Sequence, residues 1–147
     1  MDKALISRRF AKAVGTYLDK ADVQRYVASR MAELTGRYIP SDIQERVLEI
    51  GCGTGMFTRM YLQQAAPEEM WLNDLCPEVE PYLADVLGEK VHFMAKDAET
   101  LAFPEWQDLI VSCSAVQWFE DLPRFFSGCR KLLHEGGYLA FSTFGPH

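Results

Sequence analysis

Gly51, Gly53 and Gly55 stand within five residues of one another, directly after the apolar run at residues 47–50. A strand that passes through such a turn into a helix lets a ligand come against bare backbone, where any side chain would collide with it. The N–H groups at the start of the helix favour an electronegative ligand group. A dinucleotide fingerprint framed on Gly51 and Gly53 needs a small residue at position 56, where this chain has Met56, and the phosphate loop ending in Gly-Lys-Ser/Thr is absent. A merely tight turn would read the same way, so the loop alone implies no more than a nucleotide-like ligand. Asp74 follows the next apolar run, where an open parallel sheet presents a carboxylate to ribose hydroxyls; a helix cap within "NDLCPE" is its other reading. "KDAE" ends a third run and puts Asp97 and the Ala98 backbone along the same crevice. There a carboxylate can accept from an exocyclic amine, and an N–H can donate to a ring nitrogen. The three strand ends describe an adenosine site.

Short apolar runs alternating with helix-like stretches position these residues, the pattern of a parallel sheet covered by helices. "RVLEI", "MWLND", "VHFMAK", "DLIVSCS" and "YLAFSTF" read as five strands. "MFTRMYLQQAA" reads as the helix after the first, and "PEVEPYLADVL" as the helix after the second, with Pro77 suited to a first turn. In "LPRFFSGCRKLLHEGG" the apolar residues fall at helical spacing, and Gly136–Gly137 is a reasonable stop. Before Val47, "SRRFAKAVGTYLDKA" and "DVQRYVASRMAEL" read as two helices, the second ending at Gly36, with Pro40 marking the link. The expected organisation is residues 1–40 as N-terminal helices covering the cofactor site and 41–147 as a Rossmann-like domain.

At 147 residues and 48% hydrophobic composition, the chain is one unit by length and has enough apolar surface for a core. Its net charge of −6 speaks against general nucleic-acid binding. That charge is uneven: residues 1–40 hold eight Lys/Arg and four acids, the remainder seven and 17. A basic head could meet an acidic partner, although a solvated helical face accounts for it more simply. Cys52, Cys76, Cys113 and Cys129 are far apart and do not cluster with His92, His134 or His147. Free thiols, a reducing compartment and no metal site are expected. No apolar segment has the length of a signal core or a membrane span, so the expected location is cytoplasmic.

"LEIGCGTG", "NDLCP" and "KDAE" in this order resemble the motifs of class I S-adenosylmethionine-dependent methyltransferases. The resemblance covers essentially the whole chain and implies an α/β, Rossmann-like doubly wound sheet of about five parallel strands. It implies S-adenosyl-L-methionine as cofactor, with Gly51, Cys52 and Gly53 along its methionine part and Glu49 near the ammonium. Asp74 would hold the ribose, Leu75 would pack on the adenine, and Asp97 and Ala98 would take the adenine edge, with Ser112 beside the cofactor. The family's fold carries two more strands after the fifth, and this chain stops before them. The sheet edge left by five strands could pair with a second copy.

The flanks "RRFAKAVGTYLDKADVQ", "DLIVSCSAVQWFEDL" and "GGYLAFSTFGP" are similar, more narrowly, to the malonyl-acyl-carrier-protein O-methyltransferases of biotin synthesis. That likeness implies acyl carrier protein as partner and places Tyr17 and Gln24 near the cofactor; Tyr17 reads equally as a buried aromatic anchor. A carboxylate acceptor is already ionised at neutral pH and needs no base, in keeping with the lack of an evident His-based dyad. No catalytic residue is assigned. Another small carboxylate or quinone-like acceptor, or a non-catalytic cofactor- or partner-binding fragment, remain as alternatives.

Overall fold

A computed structural model describes residues 20–100, 106–113 and 122–142. Helix α1 (Lys20–Tyr38) leads through a short 3-10 turn (Ser41–Ile43) into β1 (Arg46–Ile50), α2 (Met56–Gln64) and β2 (Glu69–Asp74). A 3-10 segment (Pro77–Leu83), β3 (Val91–Ala95), a further 3-10 turn (Ala98–Thr100), β4 (Gln107–Cys113), α3 (Leu122–Leu132) and β5 (Leu133–Ser142) complete it. The strands form one sheet in the order β3-β2-β1-β4-β5, and every neighbouring pair is parallel. The chain runs outward from β1 to β3, then returns beside β1 as β4. The order therefore reverses between β1 and β4, and their carboxyl ends are where an open parallel sheet leaves its crevice.

The central strands β1 and β4 are buried on both faces, which is why they read as continuous apolar runs rather than alternating ones. Val47, Met70, Leu72, Leu109 and Val111 pack with Phe57 and Tyr61 of α2 and with Ala28, Met31 and Ala32 of α1. Leu48, Ile50 and Ile110 face the other way, onto Phe125, Cys129 and Leu132 of α3. Each such aliphatic side chain contributes about 1.5–3 kcal/mol by leaving water. Tyr61 donates to Gln44 Oε1 at 2.6 Å, and Gln44 Nε2 donates to the Ile39 carbonyl at 2.9 Å. Those bonds tie the link between α1 and β1 to the back of α2.

Three expectations are corrected. The second N-terminal helix runs through Gly36 and ends at Tyr38. Gly36 makes room instead of stopping the helix: a Cβ there would lie 2.9 Å from the Gln64 amide nitrogen, and that amide reaches the Ala32 carbonyl at 2.7 Å. The segment after β2 is a 3-10 turn, not an α-helix, because it contains Pro81, whose ring in an α-helix would meet the Pro77 carbonyl. Finally, α3 passes directly into β5 at Leu133, and the Gly136–Gly137 pair lies inside the strand, Gly136 at φ 87°. Residues 7–19 of the first expected helix, with Tyr17, and the Gln117–Trp118 stretch lie outside the described residues, while that helix's last two residues, Lys20 and Ala21, open α1.

Candidate functional site

The glycine loop leaves β1 with Gly51 at φ 72°, Gly53 at 55° and Gly55 at 93°, left-handed conformations that side-chain-bearing residues adopt at a cost. Nothing lies within 4 Å of where a Gly53 Cβ would be, so the loop there shows open backbone. Asp74, at the end of β2, closes the other side. Its Oδ2 accepts from the Gly53 N–H at 2.8 Å and its Oδ1 from the Cys76 N–H at 3.0 Å. The carboxylate is thus aimed by backbone, half-buried, beside the open loop.

Glu49 is the second acid and differs in kind. It is completely buried, and its Oε1 accepts from the Thr58 hydroxyl at 2.5 Å. Burial pushes its carboxyl up to about 8, the Thr58 bond lowers it, and the nearby Asp74 charge raises it further. At neutral pH with no cation beside it, Glu49 therefore holds a proton. The same acids act on the neighbouring thiols. Cys52 is pushed up by burial, then by Glu49 and Asp74; Cys113, at the end of β4, by burial and Glu49. Burial is the larger cause for both thiols, so they stay protonated and uncharged.

The remaining expected residues are placed as follows. Leu75 is 72% exposed at the crevice. Asp97 Oδ1 accepts from the Glu99 N–H at 2.9 Å, which starts the short turn at Ala98–Thr100, and Ala98 is buried against the α3 side of the core. Ser112 is fully buried, and its hydroxyl donates to the Ile50 carbonyl at 3.1 Å, fastening β4 to β1. Gln24 is exposed on α1. Its end of the helix lies towards the carboxyl ends of the strands, since Gln64 at the far end of α2 bonds to Ala32. His92 lies tilted against Trp71, with ring centroids 4.7 Å apart, and His134 pairs with Asp108. Asp108 opens β4, at the end of the sheet opposite the glycine loop.

Sequence reading passed over Asn73, Thr58 and Arg59. Asn73 is the strut of the crevice: its carbonyl accepts from Gly51 and Cys52 at 2.8 and 2.9 Å, and its side-chain amide donates to the Lys96 carbonyl at 2.9 Å. It joins all three strand ends. Thr58 carried a legible signal, a polar residue on the buried side of α2 between Phe57 and Tyr61.

A glycine-turned loop at the switch point of a doubly wound parallel sheet, with an aimed carboxylate on the adjacent strand, defines a nucleoside-binding α/β protein. A family model described as a methyltransferase domain matches residues 48–141, and the chain belongs to that family. It is 51% identical over 146 residues to a malonyl-[acyl-carrier protein] O-methyltransferase of Bacteroides thetaiotaomicron, covering 99% of this chain and 56% of that one. To the protein of the same description from Bacteroides fragilis it is 47% identical, over 97% of this chain and 29% of the other. The chain thus spans about half, or less, of the length of these curated relatives. Among solved structures, an S-adenosylmethionine-dependent methyltransferase from Mesorhizobium loti superposes with a TM-score of 0.66 at 24% identity, over 82% of this chain and 53% of that one, a likeness of fold.

Proposed function

We propose that this chain binds S-adenosyl-L-methionine and belongs to an enzyme that methylates the free carboxylate of malonyl-acyl carrier protein in biotin synthesis. The observation that carries the cofactor reading is the pairing of Asp74 and Glu49 around the glycine loop. An aimed carboxylate suits ribose hydroxyls, and a buried acid suits a cation. Met56, standing where the dinucleotide fingerprint needs a small residue, speaks against a nicotinamide cofactor. These residues fit the cofactor. Asp74 would hold the ribose, Glu49 the ammonium group and Leu75 the adenine, with Asp97 and Ala98 at the adenine edge and Gly51, Cys52 and Gly53 along the methionine part. When bound, the cofactor supplies an electrophilic methyl on a sulfonium.

The chain's own residues align and shield; none is assigned as a base. His92 and His134, the two histidines among the described residues, are held away from the glycine loop, in keeping with an acceptor that is already an anion. The specificity for malonyl-carrier protein rests on the relatives' shared description and on the likeness of the flanks. Acidic carrier protein would dock on the basic head, residues 1–40. On α1, Arg25 pairs with Asp22, and Arg30 and Arg37 share Glu33, exposed pairs that leave these guanidinium groups open to a partner. The N-terminal helices would cover the cofactor. The four free cysteines support a reducing, cytoplasmic setting, and no helix among the described residues is long and apolar enough to cross a membrane.

Calorimetric titration of S-adenosylhomocysteine tests the reading. Micromolar binding by the chain, weakened about ten- to a hundredfold in Asp74→Ala, supports it and leads to an assay with malonyl-carrier protein; a folded chain with no affinity sinks it. A second reading, a homodimer through the sheet edge, draws on β5. Among the described residues that strand pairs only with β4, and residues 136–142 carry no charge to deter a partner strand. Gel filtration at two concentrations decides it.

A further inference from the structure

Arg59 lies on α2, one residue past Thr58, and takes no part in the site as read above. Its guanidinium is nevertheless engaged on four sides. Nε donates to Asp85 Oδ2 at 2.9 Å, and Nη2 donates to Asp85 Oδ1 and to the Tyr82 carbonyl, both at 2.7 Å. Nη1 donates to the Thr54 carbonyl at 2.6 Å. Thr54 belongs to the glycine loop; Tyr82 and Asp85 belong to the segment that continues from Asp74 and Leu75. The guanidinium therefore bridges the two walls of the crevice. Gly55 exists for this contact as well as for its left-handed turn: a Cβ there would stand 2.7 Å from Arg59 Nη1 and 2.8 Å from Leu83 Cδ2.

We propose that Arg59 and Asp85 form a clasp that positions the glycine loop against the Leu75-bearing segment, and so sets the width of the nucleoside site. The inference rests on the cofactor reading above and adds two residues to it that do not touch the ligand. Only a planar fork can meet both carboxylate oxygens and two carbonyls at once, so lysine is not an equivalent. A solvent-facing ion pair ordinarily adds little to stability. The clasp is therefore expected to register in ligand affinity rather than in melting temperature.

The test measures S-adenosylhomocysteine and adenosine affinity by calorimetry on the full chain, with Arg59→Met, Arg59→Lys, Asp85→Ala and the double variant Arg59→Met/Asp85→Ala. Leu132→Ala, at the end of α3 that runs into the start of β5, opposite the glycine loop, serves as a variant that lowers melting without reaching the crevice. The expected result is about tenfold weaker binding of both ligands by Arg59→Met, intermediate binding by Arg59→Lys, and no further loss in the double variant. Leu132→Ala should melt earlier yet bind like the wild type. Equal binding by Arg59→Met and wild type overturns the clasp, as does a loss of affinity that Leu132→Ala reproduces. Absence of binding by the wild-type chain overturns the cofactor reading itself and the clasp with it, a failure distinct from the other two.

Discussion

Two aspartates, at opposite ends of the sheet, do the same thing locally and serve different ends. Asp74 accepts backbone N–H groups from Gly53 and Cys76; Asp108 accepts them from Glu45 and Arg46, at 3.1 and 2.7 Å. Asp108 is then sealed by the His134 imidazole on its other oxygen, and its side chain is only 12% exposed. It staples the start of β4 to the starts of β1 and β5. Asp74 has open glycine backbone beside it instead. The same carboxylate chemistry makes a fastening where a side chain closes it and a binding site where glycines leave it open.

Breaking the closed end should cost the most. Asp108→Ala leaves two backbone donors and an imidazole without their acceptor, and chemical denaturation should show a loss of about 3–5 kcal/mol, with affinity for S-adenosylhomocysteine unchanged in the folded protein. An unaltered stability would mean that the closed end is no fastening.

The next effect lies at the open end, in its buried acid. Because the folded Glu49 carboxyl is raised to about 8 from 4.5, the folded state binds the extra proton between those values. Its contribution is fully present below the lower value and drains away as pH rises through the higher. Between pH 5 and 7 the stability should fall by on the order of 2–3 kcal/mol, and Glu49→Gln should flatten that slope. A denaturation series that declines equally in both proteins would assign the slope to another group.

Asp74→Ala should reverse the Asp108 result, with affinity falling about ten- to a hundredfold, or about 1.5–3 kcal/mol, against a smaller change in stability. Equal losses in both properties would erase the contrast between the two ends. The smallest effect belongs to His134, held above its ordinary value by the Glu135 carbonyl and then by Asp108. The stability it contributes is present below the unfolded value near 6.5 and is lost as pH rises through the folded one. His134→Gln should remove a shallow part of the decline, readable as a difference between denaturation midpoints at low and high pH.

Much of the fold was legible because the central strands are buried on both faces, and runs such as "RVLEI" and "DLIVSC" are the direct imprint of that burial. The glycine loop was legible because three left-handed residues in five leave little choice but glycine. Gly36 misled, since a glycine that admits a neighbouring side chain looks the same in sequence as one that ends a helix. Pro81 was the visible reason against an α-helix after β2, outweighed in reading by the favourable Pro77. Asn73 was passed over because its bonds run to Gly51, Cys52 and Lys96, across strands that only the fold brings together. Arg59 was passed over for the same reason, its partners lying in two separate loops.

The sequence by itself determined the order of elements, the parallel sheet and the acids at its strand ends, since burial period, glycine conformation and chain order are local properties. The tertiary structure decided which of those acids is aimed and which is buried. Asp74 acquires its orientation from Gly53 and Cys76, and Glu49 its proton from the apolar wall that α2 closes over it. Solvent exposure and hydrogen-bond partners are set by packing across distant segments, and that is where the two carboxyls, similar in sequence, part company.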